Sequence, residues 1–256
     1  MILAVDVGNT ETVAGVFDGL THLDTWRFST DRTRTGDELG LAVQGSLGSV
    51  VAELDRIVVA SVVPTLLRSW SGAASRLGLE LLVLDGNSPL PIRLDVDRPG
   101  EVGSDRIANT LAAAELFSRD TIVVDLGTAT TFDCITADGV FIGGVIAPGP
   151  TAGLEQLARA TAQLPQVELI EPGRVVGRNT LECLQAGAFY SVVDSIDGIV
   201  RRILAEWGPA DPLVVATGGL AEIVAPHCEM VGAIEPALTI TGIAIAERYL
   251  TGGARG

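Results

Sequence analysis

The sequence predicts an α/β protein built from two duplicated domains, and three observations carry that expectation. The first is an internal repeat: ILAVDVGNTET at residues 2–12 is echoed by TIVVDLGTATT at residues 121–131. Each copy is an apolar strand followed by Asp, an apolar residue, Gly, a small polar residue and a nearby Thr. The second is their spacing, an offset of 119 residues from Asp6 to Asp125, close to half of the 256-residue chain. The third is the alternation of short apolar runs with helical patterns after each copy, which favours mixed sheets flanked by helices. The domains are expected at 1–115 and 116–256.

Each element follows from local pattern. Ile2–Val5 and Thr12–Phe17 read as strands around a tight turn, and Asp18-Gly19 marks a hairpin into a third strand, Thr21–Phe28. Leu39, Val43, Leu47 and Val50 give residues 36–53 helical spacing. The run Arg56–Val63 is continuously apolar after its first residue, as in a central parallel strand. Pro64 opens a helix through Leu77, Glu80–Leu84 is a strand, and 87–99 is a proline-bearing loop. Ser104 or Asp105 caps a helix to Phe117. The second repeat then leads into strands at 121–124, 131–136 and 140–147. Asn179–Trp207 reads as a long helix, Leu213–Ala216 as a strand and 241–250 as a last helix, with 251–256 a frayed tail.

Composition excludes several function classes. Apolar residues make up 47% and charged residues 19%, which describes a packed globular chain. No apolar run reaches the ~18–20 residues that cross a bilayer, so no membrane partner is expected. The start, MILAVDVGNT, lacks the basic region and cleavage site of a signal peptide, so a cytoplasmic location is expected. A formal charge of -15 argues against a nucleic-acid partner. Cys134, Cys183 and Cys228 form no paired motif and read as small hydrophobes. All 17 basic residues are Arg. Without Lys, a Walker-type P-loop, a kinase strand lysine and Schiff-base chemistry are all ruled out.

The repeated turns suggest phosphate binding. Gly8 lets backbone approach a ligand closely, successive N–H groups in such a turn form an anion-binding concavity, and Thr10 adds a donor. Asp6, at the carboxyl end of a buried strand, is placed to hold a cation bridging phosphate oxygens. Taken alone, the turn is equally a hairpin whose Asp bonds its own loop. Asp125-Leu126-Gly127-Thr128-Ala129-Thr130-Thr131 repeats it with three hydroxyls, and two such turns across a cleft suit the polyphosphate of ATP. Thr217-Gly218-Gly219 offers a close-approach site where adenine can lie, or a plain helix entry. Gly103-Ser104-Asp105-Arg106 combines a carboxylate that can accept a hydroxyl proton with an Arg that can pair with a carboxylate or phosphate. Its bland reading is an N-cap with a solvated Arg. Gly143-Gly144-Val145-Ile146-Ala147-Pro148-Gly149-Pro150 reads as a turn-laden loop, either pocket-shaping or a bare connection.

Together these motifs resemble the type III pantothenate kinases, in the sugar kinase, Hsp70 and actin superfamily. The matching pieces are Asp6–Thr10, Gly103–Arg106, Asp125–Thr130 and Gly143–Gly149, in family order over essentially the whole chain. The GxDR cluster with Asp125 placed 20 positions after Asp105 is the specific part. The resemblance implies two actin-like (ribonuclease H-like) domains with a cleft between them, and transfer of the ATP γ-phosphoryl to the primary hydroxyl of pantothenate, the first step towards coenzyme A. It implies ATP contacts from Asp6, Val7, Gly8, Asn9, Thr10, Glu11, Thr12, Val13 and Thr128, and Asp105 as proton acceptor. Gly103, Ser104, Asp105, Arg106 and Thr180 are implied pantothenate contacts. Asp125 is the implied ligand of a monovalent cation, K⁺ or NH₄⁺, and Asp6 a holder of Mg²⁺ through phosphate. It further implies a homodimer in which the 179–207 helix supplies contact surface. Two positions depart from some relatives: Val13 where a Lys stands, and Val96 where an aromatic is expected. The rival readings are a non-catalytic relative of the transcription accessory factor type and a sugar or acetate kinase. The former predicts a loss among Asp6, Asp105, Asp125 and Thr128, and all four are present.

Overall fold

The computed structural model describes residues 1–154, 164–165, 167–208 and 211–252. The chain divides into two compact units, Met1–Leu116 with Leu238–Gly256, and Phe117–Ala237. In the first, β1 (Ile2–Val7), β2 (Glu11–Asp18), β3 (Thr21–Ser29), β4 (Arg56–Ser61) and β5 (Glu80–Leu84) form a sheet in the order β3-β2-β1-β4-β5. The three leading strands are antiparallel, as their short turns require, and β4 and β5 join parallel through helical crossovers. β6 (Arg93–Leu94) is a two-residue strand inside the expected loop.

The second unit repeats the topology. β7 (Thr121–Leu126), β8 (Ala129–Ile135) and β9 (Val140–Pro148) form the antiparallel meander, and β10 (Leu213–Thr217) and β11 (Ala233–Ile234) add parallel to β7. Reading outward from β9, the order is β9-β8-β7-β10-β11, strand for strand the arrangement of the first unit. The repeat in sequence is therefore a repeat in fold. One expectation changes: Gly143–Pro148 is part of β9 and not a turn-laden loop, with Gly143 at φ 123 relieving the strand where its register shifts.

Strand alternation sorts each core. Leu3, Val5 and Val7 of β1 pack with α1 (Gly36–Leu47) and α2 (Leu67–Leu77) through Leu39, Val43, Trp70 and Ala73. α1 stops at Gly48, φ 57, so the expected 36–53 helix ends there and continues as a tighter 3₁₀ turn, 48–53. Thr35 starts it with a full capping box to Glu38. In the second unit, Ile122, Val124 and Leu126 pack with Phe189, Val193, Ile196 and Val200 of α4 (Thr180–Trp207). α3 (Ser104–Phe117) and the short α5 (Ala221–Val224) complete the order before α6 (Leu238–Leu250).

α6 corrects the expected division, because residues from 238 onward belong with the first unit and not with 116–237. The cause is packing that no local signal announces. α6 lies against β1, β2, β4 and β5, with Ile240 over Gly15 of β2. Thr239 Oγ1 donates to Asn109 Oδ1 of α3 at 2.9 Å in a buried pair. Arg56 Nη1 donates to Glu247 Oε1 at 2.9 Å. At Gly242 the two helices approach so closely that a Cβ would collide with the carbonyl oxygen of Ala108. The expected tail from 253 onward lies outside the described residues. Gly242→Ala is expected to destabilise the protein by about 1–3 kcal/mol, the usual cost of overpacking; urea unfolding of both proteins checks this.

Candidate active site

The two repeat turns are built alike. Asp6 and Asp125 sit at the next-to-last positions of β1 and β7, the central strands of their units, and both are half-buried. The Gly8 N–H donates to the Glu11 carbonyl at 3.0 Å, and the Gly127 N–H to the Ala129 carbonyl at 3.1 Å. Each turn thus closes on itself around exposed residues: Asn9 and Thr10 in the first, with Glu11 as its closing partner, and Thr128 in the second. Thr12 and Val13 lie on β2, Thr12 buried with its hydroxyl 2.8 Å from that of Thr30. Val7 is a core residue, so its part in the turn is its backbone: the Val7 carbonyl accepts from Val62 N–H at 3.1 Å.

Glycines set how closely backbone passes behind these turns. A Cβ on Gly8 would lie 2.8 Å from the Glu11 carbonyl oxygen. One on Gly149 would collide with the Thr128 carbonyl. Gly218, at φ 91, puts its α-carbon so near Asp125 that a Cβ would be 2.5 Å from Oδ1. Thr217 pairs in register with Asp125 and its buried hydroxyl finds no hydrogen-bond partner among the described residues. Thr217-Gly218 therefore packs against the second repeat turn.

The GxDR cluster opens α3 in the first unit. Ser104 is buried, and its hydroxyl also lacks a partner among the described residues. The Asp105 carboxylate folds back over Gly103, where a Cβ would collide with Oδ1, and accepts the Arg106 N–H at 2.8 Å. Gly103 thus makes room for the carboxylate. Burial pushes the Asp105 carboxyl above its ordinary 3.8, with the Arg106 N–H and guanidinium opposing. Arg106 is half-buried beside it. Thr180 belongs to the second unit, exposed at the first position of α4 after the N-cap Asn179. Asp6, Asp105 and Arg106 are thus residues of the first unit, and Asp125, Thr128 and Thr180 of the second.

The type III pantothenate kinase family model matches residues 2–202. A type III pantothenate kinase of Acidothermus cellulolyticus is 44% identical over 247 residues, 95% of this chain and 96% of the relative. The chain belongs to the type III pantothenate kinase family. Solved structures share the actin-like fold at lower identity. A Baf family protein of Campylobacter jejuni, described as a transcriptional activator, matches with TM-score 0.60 and 17% identity over 98% of this chain and 99% of that one. A ROK family glucokinase of Streptomyces griseus, in complex with glucose and AMPPNP, matches with TM-score 0.51 and 14% identity over 95% and 98%.

In this pantothenate kinase family member, the structure adds residues to those the sequence nominated. Thr30 and Arg32 reach the first repeat turn, Arg32 Nη2 donating to Asn9 Oδ1 at 3.0 Å. They lie about twenty positions from the motif, and only β2–β3 pairing brings them back. Pro148, Gly149 and Pro150 line a cavity of about 540 Å³ in the second unit, with Thr130, Leu184, Gly187 and Ser195 among its other walls. Val96 is half-buried in the first unit.

The raised Asp105 carboxyl has a stability consequence. Below the ordinary value both folded and unfolded chains hold the proton. Through the window above 3.8 the folded chain keeps a proton that the unfolded chain has lost, so stability falls as pH rises and stays lower above the folded value. Asp105→Asn is expected to be more stable than the parent at neutral pH, the difference closing as pH falls below 4; thermal melts from pH 3.5 to 7.5 check it.

Proposed function

We propose that this chain is an ATP-dependent kinase that phosphorylates the primary hydroxyl of pantothenate to 4′-phosphopantothenate, the first step of coenzyme A biosynthesis. Family membership supports the reaction, and one observation carries the mechanism: a carboxylate with raised proton affinity at the start of α3, given room by Gly103 and flanked by Arg106. Asp105 accepts the proton of the pantothenate hydroxyl as its oxygen attacks the γ-phosphorus; ADP departs, and the proton leaves with Asp105 until solvent takes it. Arg106 pairs with the pantothenate carboxylate, and Gly103, Ser104 and Thr180 complete the acceptor contacts, the Ser104 hydroxyl as a buried donor with capacity to spare.

Asp6 to Val13 and Thr128 take the ATP phosphates through turn amides and hydroxyls. Asp6, which offers a hard oxygen at a strand end, would hold a divalent cation such as Mg²⁺ together with the ATP phosphates, and the ion would supply charge neutralisation there. Asp125, with the unpartnered Thr217 hydroxyl in register beside it, fits an oxygen-liganded monovalent cation, K⁺ or NH₄⁺. Such an ion would offset phosphate charge that the chain, lacking Lys, meets with Arg, hydroxyls and backbone N–H groups. A homodimer is supported by exposed apolar side chains on β9, Ile142 and Ile146, with Val175, Val176 and Leu181 at the approach to α4 and its first turn. No helix among the described residues is long and apolar enough to cross a membrane, in keeping with the cytoplasmic placement proposed for this enzyme.

ADP release from ATP and Mg²⁺, measured with and without pantothenate in K⁺ and then Na⁺, is expected to require both pantothenate and K⁺. No release in K⁺ or NH₄⁺ from folded protein would sink the kinase reading. Asp105→Asn is expected to lose turnover by roughly 10²-fold or more with ATP affinity little changed. Asp125→Asn is expected to weaken K⁺ activation more than pantothenate binding; an unchanged K⁺ response places the cation elsewhere.

A further inference from the structure

We propose that Arg32 is the cation of the first phosphate turn, moving its guanidinium from Asn9 onto the terminal phosphates of the bound nucleotide. The inference rests on the kinase reading and deepens it. The chain contains no Lys, so any positive side chain at the turn must be Arg. Two reach it. Arg27, paired across the strands with Val13, forms an ion pair with Glu11. Its charge is already answered. Arg32 Nη2 instead donates to the neutral Asn9 Oδ1 at 3.0 Å, and among the described residues no carboxylate lies within ion-pairing distance of it.

The segment that carries Arg32 is tied to the turn. The Thr30 N–H donates to the Thr10 carbonyl at 2.8 Å, and the Thr30 and Thr12 hydroxyls meet at 2.8 Å. Asp31 turns its carboxylate onto Thr33, whose N–H and hydroxyl donate at 2.9 and 2.6 Å, so the adjacent acid does not compete for Arg32. Those bonds hold the Asp31 carboxyl below its ordinary range. Beyond it the Arg34 carbonyl accepts from Ser69 and Thr35 caps α1. Backbone on both sides of Arg32 is fixed, while its side chain is exposed and held by one bond to an amide oxygen. A phosphate oxygen is the stronger acceptor, offering a charge-assisted and bidentate geometry that an amide lacks. Asn9 therefore parks the guanidinium at the turn and releases it to the ligand.

The test is calorimetric titration of the full chain with ATP, ADP and adenosine in Mg²⁺ without pantothenate. Arg32→Gln is expected to weaken ATP and ADP by about 10- to 100-fold, the range for losing a hydrogen bond to a charged group, and to leave adenosine unchanged. Arg32→Lys, which keeps the charge but not the bidentate fork, is expected to recover part of the loss, and Arg68→Gln, which removes an exposed charge on α2, to bind like the parent. Two results would overturn the assignment of Arg32 alone: ATP binding in Arg32→Gln equal to the parent, or an equal loss for adenosine, which marks a merely structural role. Failure of the parent chain itself to bind ATP would overturn the kinase reading and this inference with it.

Discussion

Backbone passing close to backbone at the ends of the central strands is the constraint on which the rest of the structure depends. Gly8 behind the first turn, and Gly149 and Gly218 behind the second, each occupy a place where a Cβ would meet main-chain or carboxylate oxygen. These crossings hold tight turns whose residues are exposed, with an aspartate at each strand end. In the proposed function, a chain without Lys would handle phosphate through backbone dipoles, hydroxyls, bound cations and a few Arg residues. The strands behind must be apolar and central to fix such turns, and Leu3 to Val7 and Ile122 to Leu126 are both.

The two units share this device and diverge around it. The first turn spans one residue more between its closing partners than the second, as Gly8 bonds Glu11 while Gly127 bonds Ala129. The first unit covers one face of its sheet with α1 and α2 and packs α6 on the other, beside α3 and its acidic start. The second packs the long α4 on its corresponding face, with Ala221 and Val224 of α5 in the same core. Asp197, buried in α4, accepts the Glu229 and Met230 amides at 3.0 Å and so fastens the segment leading to β11. A duplicated scaffold has thus kept its strand order while its helices took separate tasks.

What could be read from the sequence was whatever is local. Strand β4 announced itself by continuous apolar residues, α1 by its periodicity, and the repeat by two short motifs that share Asp, Gly and a closing Thr at matching positions. What could not be read depends on contacts far apart in the chain. α6 has an ordinary helical pattern, and nothing in it says that Gly242 meets Ala108 or that Arg56 meets Glu247. β11 is two residues long and carries no pattern at all. Gly143-Gly144 looked like a turn because Gly is common in turns, yet pairing with Cys134 and Asp133 of β8 holds it in a strand. Arg32 was hidden among charged residues of a loop until β3 returned it to Asn9.

In the proposed reaction the proton goes to Asp105, whose carboxylate is crowded against Gly103 and partly withdrawn from water. The most direct measurement is the pH dependence of kcat/KM for pantothenate in the parent and in Asp105→Glu, since this ratio reports the ionisation of the free enzyme's essential base. The account predicts an acid limb above the ordinary aspartate value of 3.8 that moves when the carboxylate is changed. A profile that stays flat down to that value, or a limb that the substitution leaves in place, would contradict Asp105 as the proton acceptor.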